Sequence, residues 1–497
     1  MVIYVQQPVG QPARHEADDI SLGSGNSAPK DADMIVKMEI GSPELLRGTY
    51  PSRALRCFGK ILRQDFSGDM FHASFQSEKI DCFWSHSWHA ASWKKIMLLM
   101  VVYNGRAAVV FGNLAAFGGM LLFYFGLLPG HVRYFALDGA SYLSGPWGCV
   151  FGSLVTPIVL LLWQPGSTVF FDRICIHQTN RQRKSAGILS IGGILRHSES
   201  ILVMWERTYA TRLWTVFELA AFMKSHGQSQ SVLAGLLIRP IMLGPTGCGL
   251  FAILVPLSFS IMFVEGSNLQ QALLMRGVLL FLFLVPVTHA VRAHFRNVDR
   301  YRIQLENFRL SDAHCAVEHL DKSQNSVCDK DIILACVRSW FGSEQAFEDT
   351  VRSHVSFVLT RGLGSSSLPF RWFLAICTCC FWAFGDLVTA RLRAEEYYWA
   401  LMALLHALGT VFALGALLYV ALQFLAHRLR GSRRCDFLVS VAAAALMQTG
   451  VLCLMTLRTL FIGLLVDDLL ATLVWCIILT SAGALAVRRW TRWTAGH

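Results

Sequence analysis

AAVVFGNLAAFGGMLLFYFGLL, residues 107–128, carries no charged side chain. A helix needs roughly 20 mostly apolar residues to cross the hydrocarbon of a bilayer, where its backbone groups must pair with one another. This run is long enough. Seven further runs read the same way, at 147–163, 247–264, 272–291, 369–389, 398–425, 436–457 and 466–487, giving about eight expected spans grouped as two, two and four. The whole chain agrees: of 497 residues 54% are hydrophobic and 15% charged, with a mean hydropathy of +0.45. So many long apolar runs exclude an ordinary soluble core. The partner implied first is a lipid bilayer.

The net charge of +11 does not point to nucleic acid, because the basic clusters fall where the positive-inside rule puts them. Arg428, Arg430, Arg433 and Arg434 lie between the sixth and seventh spans, and Arg488, Arg489 and Arg492 follow the last. An even number of spans separates each cluster from the N-terminus. Both termini are therefore expected in the cytosol, and the membrane itself is not specified. The opposite loops carry Arg133, Arg391 and Arg393, the last two followed by Glu395 and Glu396. The 14 cysteines show no framework spacing, so free thiols are the expectation.

Between the spans the polar stretches divide the chain. Residues 1–75 read as a disordered cytosolic tail, its first part rich in Gly, Ser, Pro and Asp and lacking the pattern of a cleavable signal peptide. Residues 79–106 open an α/β domain with the strand candidate KIDCFWSH and a helix candidate leading directly into the hairpin at 107–163. Residues 164–243 complete the domain. There TVFFDRICI and SILVMW read as strands, KSAGILSIGGILRHS and RLWTVFELAAFMKSHG as helices, and SVLAGLLIRPIML as a last strand. A second hairpin covers 247–291, a cytosolic helical segment 292–366, four spans 369–487 and a basic cytosolic tail 488–497. Strands alternating with helices imply a parallel, doubly wound sheet whose ligand crevice lies at the carboxyl ends of its strands.

Three segments, in order, resemble the Toll/interleukin-1 receptor-type (TIR) family: IDCFWSHSW its first box, VFFDRICI its second strand, and YATRLWTVFELA its third conserved segment. In that third segment Tyr209, Trp214 and Glu218 keep the spacing of plant-type TIR domains, and Ser198 ahead of ILVMW fits as well. Thr215 and Arg212 stand where cysteine and serine are usual, and the family's final helix and strand give way to the membrane. The overall arrangement is similar to multi-pass membrane proteins of dinoflagellates and related protists. The fold expected is thus an α-helical multi-pass membrane protein of about eight spans, with a small flavodoxin-like (TIR-like) cytosolic domain split by a transmembrane hairpin.

In TIR domains that cleave NAD, the glutamate of this helix works at the nicotinamide ribose, which is the role the resemblance implies for Glu218. NAD would then be a substrate, and no resident cofactor is expected. A carboxylate in a partly dry cleft stabilises the positive charge that develops as nicotinamide leaves. Spacing of four puts Trp214 on the same helix face, and Ser85, His86, Asp172 and Tyr209 complete the expected pocket. His86, His89 and His177 show no paired ligand spacing, so no metal site is expected.

Three functions stay open on the sequence. The first is a membrane-anchored signalling or interaction protein whose TIR-like domain binds like domains; the second, an NAD glycohydrolase using Glu218; the third, a transporter or channel regulated by that domain. Coupled transport calls for ionisable groups near the bilayer midplane. Here Arg276, Asp386, Asp467 and Asp468 fall toward span ends, and His406 and Gln448 lie deeper without obvious charged partners.

Overall fold

The computed structural model describes residues 37–63, 66, 68–88, 90–134, 141–206, 208–227, 235–263, 269–312, 329–358, 368–431, 435–464 and 468–496. CFWSH and ILVMW are buried at every position, the pattern of strands covered on both faces. They form β1 (Cys82–His86) and β3 (Ile201–Trp205), joined by β2 (Val169–Phe170) and β4 (Leu236–Pro240) in one parallel sheet of order β2-β1-β3-β4. That order is the start of the flavodoxin-like 2-1-3-4-5 arrangement. The expected second strand is shorter than its β-branched run, because Asp172–Cys175 turns into a single helical turn.

Helix α1 (Ser92–Tyr124) covers one sheet face with its first turns, where Trp84 Nε1 donates to Tyr103 Oη at 2.7 Å. It then continues unbroken as an apolar span. Helix α2 (Trp147–Leu162) packs beside α1 and returns the chain to β2. The other sheet face is covered by Ile191–Arg196 and by α3 (Leu213–His226), which ends at Gly227 with φ of 77°. Then come α4 (Leu243–Phe263), α5 (Leu269–Glu306), α6 (Asp329–Phe341), α7 (Phe370–Arg393), α8 (Tyr397–Arg428), α9 (Asp436–Leu464) and α10 (Asp468–Gly496).

Among the described residues seven helices are long and apolar enough to cross a membrane, and the chain is a helical multi-pass membrane protein. The second expected span, 147–163, is shorter than these: α2 has 16 residues, bounded by Pro146 before it and Pro165 after it. Residues 292–306, expected in the separate helical segment, instead extend α5 beyond its span. Within 292–366, Ser343 caps Glu344–Thr350 by accepting from Ala346 N at 3.0 Å, as its spacing predicts.

The tail expected at 1–75 needs correction where it is described. Residues 1–36 lie outside the described residues, but the described residues of 37–75 are folded onto the sheet. Thr49 exchanges both backbone hydrogen bonds with Val169 at 2.8 Å, bridging the β2 edge. Arg47 donates to Ser74 at 2.7 Å, and Leu46, Ala54, Ile61 and Leu62 are buried. Pro51–Gly59 forms a short amphipathic helix that buries Pro51, Ala54 and Gly59, a stripe too short to stand out from the polar tail that precedes it.

Contacts show which helix ends share a side. Tyr301 on α5 packs edge-on against Trp205 at 4.9 Å, Arg430 pairs with Asp299 at 2.6 Å, and His427 meets Trp493 at 4.9 Å. The α/β domain, the α8–α9 turn and the end of α10 therefore lie together. At the remote end Arg393 donates to Phe123 O at 2.9 Å.

Two polar devices fix the bundle. Arg292, fully buried on α5, donates to Leu429 O, Asp436 O and Ser440 Oγ and pairs with the Asp436 carboxylate at 2.8 Å, while Arg296 grips that carboxylate with two hydrogen bonds. Asp386 on α7 accepts from Gly148 N at 2.6 Å and Cys149 N at 2.9 Å. It thereby caps the N-terminus of α2 from a neighbouring helix, satisfying donors that α2 cannot. Gly148 and Gly152 permit the approach: a Cβ on Gly152 would meet the Trp382 ring at 2.6 Å. Asp386→Ala leaves two buried N–H groups without acceptors, at ~1–3 kcal/mol each, and is expected to lower the melting temperature in detergent well below that of wild type. Asp386→Asn, which keeps one acceptor, is expected to lose less. An alanine variant that melts with wild type would sink the capping role.

Candidate functional site

In a 2-1-3-4 sheet the chain reverses direction between β1 and β3, and there the strand ends part to leave a crevice. Ser85 stands in β1 at this position, fully buried. Tyr209 follows β3 in the turn Tyr209–Thr211, and Glu218 lies one helical turn and more into α3. The three converge. Ser85 Oγ lies 2.5 Å from the Tyr209 hydroxyl and donates to Glu218 Oε2 at 2.6 Å. Serine has one proton to give, so with that proton on Glu218 it accepts the tyrosine's. The Tyr209 turn is itself tied down, since Thr215 Oγ1 donates to Tyr209 O and to Arg212 O.

Burial pushes the Glu218 carboxyl up to about 8, the Asp172 charge adds to this, and the Ser85 bond opposes it. At neutral pH the group is mostly protonated. Burial and the Glu218 charge likewise hold the Tyr209 phenol well above its usual range, so it remains a donor.

Strand alternation sends His86 to the opposite face. Its ring lies 4.4 Å from Trp88 and 5.5 Å from Phe171, and Nε2 has no hydrogen-bond partner. Burial, reinforced by the Lys95 charge, holds its pKa well below the usual range and keeps the ring neutral. Asp172 starts the turn after β2 and accepts from Arg173 N at 2.7 Å. Burial raises its pKa, against the lowering effect of that bond and of the Arg173 and Lys95 charges. The expected single pocket is thus two clusters, one on each face of the sheet.

Trp214 is not part of either. It is partly buried, packs edge-on to Phe217 at 5.7 Å, and lines an apolar cavity of about 10 Å³ with Ile188, Gly192, Cys336 and Trp340. The indole thus anchors α3 to α6. Sequence spacing put Trp214 beside Glu218 but did not reveal α6 as its neighbour.

Lys95 was missed by the sequence reading. It is fully buried in the first turn of α1, donates to Ser87 O at 2.9 Å and lies 5.0 Å above the Trp88 ring, with Asp172 and Glu206 close enough to offset its charge. A cation in the first turn of a helix opposes the helix dipole, and that was the available signal. Of the histidines considered for metal, His177 pairs with Asp69 at 2.8 Å and His89 lies outside the described residues. No cluster of three metal-ligating side chains occurs among the described residues.

Comparison of the chain with protein-family models, curated proteins and solved structures gives no match.

The Glu218 proton has a consequence for stability. A carboxyl raised from 4.5 to about 8 by folding binds its proton more tightly in the native than in the unfolded state, so its contribution is full below pH ~4.5 and is lost as pH rises toward 8. Asp172, raised as well by burial, contributes in the same direction. Wild type is expected to lose stability steadily from pH ~5 to 8, and Glu218→Gln to flatten most of that slope. Chemical denaturation of both proteins across this range checks it, and parallel pH profiles would refute the assignment.

Proposed function

We propose that the chain is a membrane-anchored TIR-like signalling or interaction protein, whose α/β domain lies on the cytosolic side of the bilayer and associates with like domains. One observation carries this choice over catalysis. The Glu218 carboxyl is satisfied by Ser85 and mostly protonated at neutral pH. A neutral carboxyl lacks the negative charge that an oxocarbenium-like ribose requires. In this conformation the Tyr209, Ser85 and Glu218 chain instead bonds α3 and the turn after β3 to β1. The basic clusters on the same end as the domain support the cytosolic orientation.

The second reading, NAD cleavage, draws on the placement of those three residues at the strand crossover, where doubly wound sheets bind nucleotides. The two readings separate in one assay. Nicotinamide release by purified full-length wild type, Glu218→Gln and Glu218→Asp is expected to stay at background, while cross-linking in vesicles captures self-association. Release by wild type that both variants lose would replace the interaction reading with the hydrolase.

Orientation is tested separately. Acceptor sequons introduced near Glu395, and near Asp138 and Ser267 outside the described residues, are expected to be glycosylated. Sequons near Ser24 and Ser432, also outside the described residues, are expected to stay bare, and the reverse pattern would invert the topology.

A further inference from the structure

A second, chemically distinct cavity lies inside the bundle. α8 is not a regular helix: Leu408–Leu414 is wound as a π-helix, a deformation that often marks a functional site. Facing it, α9 and α10 contribute Arg458, Trp475 and Cys476, and with His406 and Gly409 these line a small cavity of about 10 Å³ at the floor of a cleft open on one side. Gly409 brings the backbone of α8 against α10, since a Cβ there would stand 2.8 Å from Cys476 Sγ. Cys476 Sγ donates to Leu405 O at 3.0 Å, so the thiol is held and does not fill the cleft. Trp475, tilted against Phe461 at 5.6 Å, forms one wall with Leu479.

Arg458 is the unusual member. It is partly buried among apolar side chains, and no carboxylate pairs with it among the described residues. A guanidinium in a membrane helix is expensive unless something anionic meets it. Its depth says what can. At ~1.5 Å per residue, Arg458 stands roughly 9 Å before the end of α9, and Cys476 and His406 roughly 12–14 Å into α10 and α8 from the same remote end. The 29 residues of α10 span about 43 Å against ~30 Å of hydrocarbon, so the ends overshoot it. Arg458 therefore starts just inside the apolar layer, and its side chain reaches the level of lipid phosphates. Leu457 and Ile477, next in sequence to Arg458 and Cys476, are 53% and 57% exposed, an apolar wall beside the cleft suited to acyl chains.

We infer that the cleft between the π-helical turn of α8 and helices α9 and α10 is a phosphate-binding site centred on Arg458, taking a phospholipid headgroup from the leaflet remote from the α/β domain. The planar guanidinium fork matches two phosphate oxygens. The exposed leucine and isoleucine favour the lipid over free phosphate as the source. This site stands independently of what the α/β domain does.

Native mass spectrometry of the full-length protein in detergent tests the site. Wild type is titrated with phosphatidylglycerol, with diacylglycerol, which lacks the phosphate, and with inorganic phosphate. Wild type is expected to retain phosphatidylglycerol over diacylglycerol, and Arg458→Gln to retain it at least about tenfold less, the effect of losing a charge-assisted hydrogen bond. Arg489→Gln, which removes an exposed arginine at the other end of α10, is expected to behave as wild type. Displacement of the lipid by millimolar phosphate, or binding of phosphate alone, keeps the site and changes its source. Equal retention by wild type and Arg458→Gln overturns the inference. Should Arg458→Gln not yield folded protein, wild type alone decides: equal retention of phosphatidylglycerol and diacylglycerol, with no bound phosphate, overturns it.

Discussion

The pairing of Cys82 with Val169 and Phe83 with Phe170 is the constraint on which the architecture depends. Between β1 and β2 the chain leaves the domain, runs the length of α1, and returns through α2. The two strands still meet in parallel register, with Phe83 stacked on Phe170 at 4.9 Å. An inserted helix pair is compatible with this only if it delivers the chain back to the side it left. The crossover of an ordinary doubly wound domain is a single helix lying on the sheet. Here the first turns of α1 still lie on the sheet, and the rest of the crossover is a membrane hairpin.

That arrangement makes the bundle answerable to the sheet. If α2 slid along α1, β2 would move out of register, so α2 needs a fixed position in an environment without water. Asp386 supplies it by accepting two N–H groups of α2, and Gly148 and Gly152 let α7 come close enough for it to do so. Arg292 and Arg296 do the corresponding work between α5 and α9 through Asp436. In the sequence Asp386, near a span end, was weighed as an element of a transport path. In the structure Asp386 and Arg292 are fully engaged in holding helices together.

Much of this was legible in advance. Long apolar runs, the strands CFWSH and ILVMW, and the cap at Ser343 each rest on a local rule, and local rules survive folding. The site was read less well. Ser85, Tyr209 and Glu218 converge as a set, but Trp214, which shares a helix face with Glu218, turns to α6, because the partner of a side chain is decided by elements far away in sequence. His86 was grouped with Ser85 although adjacent strand residues point to opposite faces. The folded segment before β1 holds one short amphipathic helix, Pro51–Gly59, but what fixes the segment to the sheet is pairing with an edge strand that no local pattern can announce.

The continuity of α1 sets how the domain meets others. Its 33 residues measure about 50 Å against ~30 Å of hydrocarbon, and the excess lies within the α/β core, clamped by Lys95 and Tyr103. A domain built around the end of a span has no tether on which to tumble. Every copy in one membrane holds its domain at the same height and tilt, which leaves only rotation about the membrane normal and lateral diffusion to be lost were two copies to dock. Most of the orientational entropy that two free domains give up on docking has already been surrendered to the bilayer.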